Sequence, residues 1–126
     1  MANYKLYSLA TNERDIATCG FGKEILIFDR ELHLKQTLQS ETTPAGLAYS
    51  PNGESLVAGR GSTPNNVNIY DTKSYKKRAS FTKHKNLTKA VNFIDNNRVV
   101  SGGGDNKEIF IWDKKSAKEQ LEIVGM

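Results

Sequence analysis

Three consecutive glycines are the first feature of this sequence that could carry chemistry. Gly102–Gly104 stand directly before the segment DNKEIFIWD. A glycine-rich loop binds phosphate when a helix begins directly after it, because the first turn of that helix supplies aligned N–H groups. Here the glycines precede an alternating apolar and polar run, which is typical of a strand. We therefore predict a turn between two strands rather than a phosphate site, and we interpret the glycines of residues 20–23 in the same way.

Side chains that could support catalysis or metal binding are few and scattered. His84 and Asp105 could act as a general base and its orienting carboxylate, but no serine or cysteine nucleophile stands at a strained turn to complete the set. His33 has no ligand cluster around it, which favours a surface histidine over a metal site. The single cysteine, Cys19, cannot form an intramolecular disulfide and is expected to fill apolar space. The sequence thus predicts a protein that is not an enzyme and has no metal or cofactor.

Composition indicates one globular domain. The chain has 126 residues, of which 37% are hydrophobic and 25% are charged. It contains no run of about 18 apolar residues that could span a membrane, and its first residues lack the pattern of a signal peptide. With a single cysteine, these features lead us to expect an intracellular, cytoplasmic protein. The net charge of +4 permits an acidic partner without requiring one.

The sequence repeats with a fixed period. Phe28-Asp29, Tyr70-Asp71 and Trp112-Asp113 each end an alternating run, and successive aromatics are 42 residues apart. Around each pair lie four strand-like runs separated by turn residues, among which the Pro-Asn-Gly of residues 51–53 is the strongest hairpin signal. No segment has useful helical periodicity. We predict an all-β domain of three units, covering approximately residues 1–42, 43–85 and 86–126.

Four strands in about 40 residues, with an aromatic-Asp pair closing the third strand, resemble the WD-repeat β-propeller family. The resemblance implies three propeller blades and a tetrad of hydrogen-bonded side chains in the third one. By position the tetrad is His84, Ser101, Asp105 and Trp112. The resemblance also implies a non-catalytic scaffold or adaptor, on which a protein or peptide docks.

The first two units match that tetrad only in part. The first offers Thr18 and Phe28, while the second offers Ser40 and Tyr70, with Ala58 in place of the hydroxyl. Phenylalanine has no N–H to donate, so we expect at least the first blade to be held by apolar packing.

Three blades are too few for a closed ring, which typically needs four to eight. Each blade is built from contiguous sequence, so we expect no strand to be left over that could close the ring within the chain. Both end blades should then expose an apolar face, and association is expected. We predict a six-bladed homodimer, in which the first blade of each chain joins the third blade of the other. A complementary chain that supplies the missing blades, or an excised or engineered fragment of a longer propeller, remain alternatives.

Two surfaces are candidates for binding a partner. The loops on one rim of the ring carry Phe21, Arg60, Lys85 and Lys89, and arginine and aromatic residues are common in binding hot spots. The basic run Lys73–Arg78 and the isoelectric point near 9.2 suggest, as an alternative, a module that binds nucleic acid or an anionic surface. The same lysines could instead protect an exposed edge strand from pairing with other chains.

Overall fold

The computed structural model describes residues 6–20, 22–40, 43–60, 67–82, 84, 88, 90–103 and 108–123. Within these ranges every regular element is a strand, which confirms the all-β prediction. The strands are β1 (Leu6–Thr11), β2 (Asp15–Gly20), β3 (Glu24–Asp29), β4 (Leu34–Gln39), β5 (Pro44–Tyr49), β6 (Ser55–Arg60), β7 (Val67–Asp71), β8 (Lys77–Phe81), β9 (Ala90–Phe93), β10 (Arg98–Gly102), β11 (Ile109–Asp113) and β12 (Glu119–Ile123). No helix in the described ranges is long and apolar enough to cross a membrane.

The strands form three antiparallel sheets of four, each with its strands in chain order. We call them the first blade (β1–β4), the second blade (β5–β8) and the third blade (β9–β12). Each blade is a chain of hairpins, which is the arrangement that short turns between consecutive strands allow. At the β5–β6 turn Gly53 has a φ of +74°, as the Asn-Gly signal predicted.

The blades pack face to face around two apolar clusters. Between the first and second blades lie Ala17, Cys19, Ile25, Ile27, Leu38, Leu47, Leu56, Ala58 and Tyr70. Between the second and third blades lie Val57, Val67, Ile69, Phe81, Phe93, Val99, Phe110 and Trp112. Because side chains alternate across a sheet, the second blade buries both of its faces. Each end blade buries only one.

The aspartate of each aromatic-Asp pair shapes the turn that follows it. The carboxylates of Asp29, Asp71 and Asp113 each accept a hydrogen bond from the backbone N–H two residues later, at 2.9, 2.7 and 3.0 Å. Hydrogen bonds from backbone N–H groups in these turns lower the pKa of all three carboxyls. Among the described residues, the non-glycine positions with positive φ also lie in these turns, namely Leu32, Tyr75 and Ala117. The repeated aspartate therefore has a local structural role at the end of each third strand.

Candidate functional site

Three of the four predicted tetrad residues meet inside the third blade. The indole N–H of Trp112 donates to Ser101 Oγ at 3.1 Å, and His84 Nε2 lies 2.8 Å from the same oxygen. All three residues are buried, with at most 5% of their surface exposed. Since the indole donates to Oγ, the hydroxyl proton can be donated to Nε2, and the imidazole proton then lies on Nδ1.

A buried carboxylate faces the other side of the imidazole. Glu108 Oε1 lies 3.4 Å from His84 Nδ1, and both side chains are almost fully buried. Asp105, the predicted acid of the tetrad, lies outside the described residues. Burial lowers the pKa of His84, and the nearby carboxylate of Glu108 opposes this shift only in part. The imidazole is therefore a neutral internal brace.

Glu108 was missed by the sequence analysis, although the sequence contains a signal for it. Glu108, Phe110 and Trp112 alternate along the chain, so all three are expected on one face of the sheet. Phe110 and Trp112 belong to the cluster between the second and third blades, and Glu108 is 3% exposed. A charged residue in phase with buried aromatics needs a polar partner, and among the described residues His84 lies beside it.

Gly103 makes room for this histidine. A Cβ atom on Gly103 would lie 2.8 Å from His84 Nδ1, which is closer than real Cβ atoms come, and a tight 3.2 Å from Glu108 Oε1. A Cβ atom on Gly102 would meet Ala90 at an ordinary 3.5 Å. The next described element is strand β11, so the described part of this turn lacks the helix N-terminus that a phosphate loop requires.

Aromatic packing ties the tetrad to the second blade. The ring of Phe81 in β8 is stacked on Trp112, with centroids 4.8 Å apart and ring planes 6° apart. Phe110 meets Phe81 and His84 edge-on, at centroid distances of 5.3 and 4.8 Å. Ser101 is 1% exposed within this packing, and its hydroxyl is engaged by Trp112 and His84. The arrangement can stabilise the contact between blades, but it offers no accessible nucleophile.

The aromatic of each aromatic-Asp pair points toward the preceding blade. Tyr70 of the second blade lies in the cluster shared with the first, and Trp112 of the third lies in the cluster shared with the second. In the first blade Ile27 is buried against the second blade, so its neighbour Phe28 points to the opposite face. Phe28 therefore faces the place where a further blade would precede this chain.

Each end blade presents an apolar face outside the two clusters. The Phe28 face of the first blade is defined by Leu9, Ile16, Leu26 and Phe28, whose strand registers place them together. The Ile111 face of the third blade is defined by Val100, Ile109, Ile111, Leu121 and Ile123. Leu9, Leu121 and Ile123 are 56%, 63% and 50% exposed. The Ile111 face corresponds to the first-blade face that packs on the second blade, and the Phe28 face corresponds to the second-blade face that carries Tyr70.

The candidate rim contacts are placed as follows. Arg60 was expected as an exposed contact, and this was wrong, because β6 continues through Arg60 and all six of its residues are buried. The carbonyl of Arg60 also accepts a hydrogen bond from the Thr88 N–H at 2.9 Å. Phe21, Lys85 and Lys89 lie outside the described residues and stay predictions.

Two further side chains have the environments that the sequence suggested. Cys19 is fully buried, and burial raises the pKa of its thiol to about 11, so it is an unreactive part of the core. His33 is exposed, with Nδ1 3.3 Å from Asp29 Oδ2. The described residues contain no group of three or more histidine, cysteine or acidic side chains arranged to hold a metal ion.

Comparisons with known proteins support the fold. No protein-family model and no curated protein matches the sequence. Two similar solved structures are described as "Structure of U3-55K" and "Crystal structure of RRP9 WD40 repeats", with TM-scores of 0.87 and 0.86. Each is 14% identical and matches 98% of this chain, which spans about 40% of the length of either. The chain thus has the fold of a partial WD-repeat propeller, with three consecutive blades.

Proposed function

We propose that this protein is a non-catalytic interaction scaffold that completes a closed propeller by packing its end blades against a second copy. The observation that carries the proposal is the pair of apolar end faces. In each blade-to-blade contact inside the chain, the face that carries the aromatic residue of an aromatic-Asp pair, Tyr70 or Trp112, packs on the preceding blade. The face that it meets there is the one opposite the preceding blade's own aromatic-Asp aromatic. The chain has one further face of each kind, the Phe28 face and the Ile111 face.

The direction of the blades determines how two copies fit together. The Ile111 face of one copy matches the Phe28 face of the other, and the same contact then forms at the second junction. Two copies form a ring of six blades, within the range of about four to eight that propellers adopt. A contact of this kind belongs to a packed core in a one-chain propeller, so it should be apolar and dry at its centre.

Light scattering tests the assembly directly. We expect a mass near twice the 14.0 kDa of one chain at micromolar concentration. A folded sample with the mass of one chain would contradict the dimer and favour either a fragment of a longer propeller or a chain that needs a different partner to supply the missing blades. A mass near three times that of one chain would mean a nine-bladed ring and would also contradict the dimer.

Charged variants test which faces meet. Either Leu9→Glu or Leu121→Glu should yield monomers, because each change disrupts both junctions of the ring. An equal mixture of the two variants should recover dimers. In a mixed pair, the unchanged Ile111 face of the Leu9→Glu chain can pack on the unchanged Phe28 face of the Leu121→Glu chain. Failure of the mixture to associate would contradict a head-to-tail contact. Leu32→Glu is the control, because Leu32 is 68% exposed in a turn outside both faces, and it should leave the mass unchanged.

A further inference from the structure

A groove with a positively charged rim lies between the second and third blades. We call it the basic groove, and its volume is about 420 Å³. Its cationic residues are Lys73, Arg78, Lys114 and Lys115. Its lining also includes the carboxylates of Glu54 and Asp71. The groove lies within one chain, so it does not depend on ring closure.

The repeat explains why these lysines lie together. Lys73 and Lys115 occupy the same position in two equivalent turns, where the N–H of each donates to the aspartate two residues earlier. They are 42 residues apart, so stacking of adjacent blades brings the two turns side by side. The equivalent position in the first blade is Glu31, whose N–H donates to Asp29 at 2.9 Å. The lysine pair is therefore specific to the junction of the second and third blades.

Positive charge exceeds negative charge in the groove. Arg78 Nη2 lies 3.0 Å from Asp71 Oδ2, so these two charges largely offset each other. Lys114 Nζ lies 3.4 Å from the hydroxyl of Ser55, which is uncharged. Among the described lining residues Glu54 is then the remaining carboxylate beside Lys73, Lys114 and Lys115, and Asp113 near the lining also interacts with Lys115. An anionic group that enters the groove meets a net attraction.

We propose that the basic groove binds an acidic peptide segment, whose carboxylates pair with Lys73, Lys114 and Lys115. The lining favours a peptide over a nucleic acid for two reasons. Glu54 would repel a continuous phosphate backbone, whereas a peptide can place its few carboxylates beside the lysines. The lining residues that the structure describes also include no aromatic ring on which bases could stack. This site goes beyond the proposed assembly, because it adds a partner of defined charge.

Fluorescence anisotropy with labelled probes tests the proposal. The probes are a short glutamate-rich peptide, the same peptide with glutamine at each glutamate, and an oligothymidylate of similar charge. We expect the full chain to bind the glutamate peptide more tightly than either other probe. K73Q/K115Q should weaken that binding about tenfold or more.

The control is R14Q/K23Q, which removes the same charge from two exposed residues outside the groove. It should weaken binding by less than about threefold, because distant surface charges are screened by salt. Equal losses in the two double variants, with unchanged melting temperatures, would overturn the proposal. Tighter binding of the oligothymidylate, or no binding of the glutamate peptide, would overturn it as well. Neither measurement depends on the mass of the assembly. The groove proposal can therefore be contradicted while the ring proposal stands, and the reverse.

Discussion

The hydroxyl of Ser101 offers the sharpest test of the internal brace. Its oxygen is the acceptor for the Trp112 indole and lies 2.8 Å from His84 Nε2. Ser101→Ala removes this oxygen and changes the volume of the core very little. The indole N–H and the imidazole nitrogen would then remain buried without this partner.

The expected cost follows from these contacts. A buried hydrogen bond contributes about 1 kcal/mol net, and a buried polar group left unsatisfied costs about 1–3 kcal/mol. Because the two contacts share one oxygen, we expect Ser101→Ala to lower the free energy of unfolding by about 2–3 kcal/mol. For a domain of this size, that corresponds to a fall in melting temperature of about 10 °C.

The assay is thermal unfolding followed by tryptophan fluorescence. Trp112 is the single tryptophan of the chain, so its emission reports on the brace itself. The matched control is Ser116→Ala, since Ser116 Oγ lies 3.1 Å from Asp113 Oδ2 on an exposed turn. We expect this control to change stability by less than about 0.5 kcal/mol. Equal melting temperatures for the two variants, at one protein concentration, would refute the reasoning.

Three further predictions concern the surroundings of His84. Asp105→Ala should lower the free energy of unfolding by about 1–3 kcal/mol if this residue completes the tetrad, and Glu108→Ala should lower it by a similar amount. Urea unfolding in which neither variant loses stability would contradict both roles. Gly103→Ala should lower the free energy of unfolding by more than about 1 kcal/mol because its Cβ would crowd the imidazole, whereas Gly102→Ala should be tolerated. Equal melting temperatures for these two variants would contradict this prediction and show that the turn adapts. Because the folded state lowers the pKa of His84 below its ordinary 6.5, the unfolded chain binds its proton more readily. Stability should therefore fall as pH drops through about 6.5, and His84→Gln should reduce this slope; identical urea midpoints against pH for variant and parent would contradict it.

Local patterns were sufficient to predict the strands. Strand-like runs between turn residues, counted outward from the three aromatic-Asp pairs, located the twelve strands that the structure describes, and the Asn-Gly signal located the turn at Gly53. The spacing of the aromatic-Asp pairs predicted three blades of the same design. These features depend on neighbours along the chain and on pairing within one hairpin, which a single sequence displays directly.

Features that depend on the stacking of blades were harder to predict. Arg60 reads as the start of a loop, and only the packing of β6 between two other blades shows that the strand continues through it. Glu108 faces His84 across a gap of 24 residues in sequence. The pairing of Lys73 with Lys115 in one groove could have been found, because their separation equals the repeat period. The sequence alone does not give the position of each turn relative to the next blade, so this pairing was not predicted.

In the third and first blades, the aromatic residue of the aromatic-Asp pair suits the face on which it lies. Trp112 lies in a contact that is complete within the chain, where its N–H has a buried partner in Ser101. Phe28 occupies the equivalent position on an end face, and it has no donor that would need a partner once another blade covers it. An interface centred on Phe28 can thus form by apolar burial without aligning a hydrogen bond across two chains. The degeneracy of the first repeat, which weakens the sequence match to the tetrad, would therefore suit the proposed assembly, in which this face packs on a second chain.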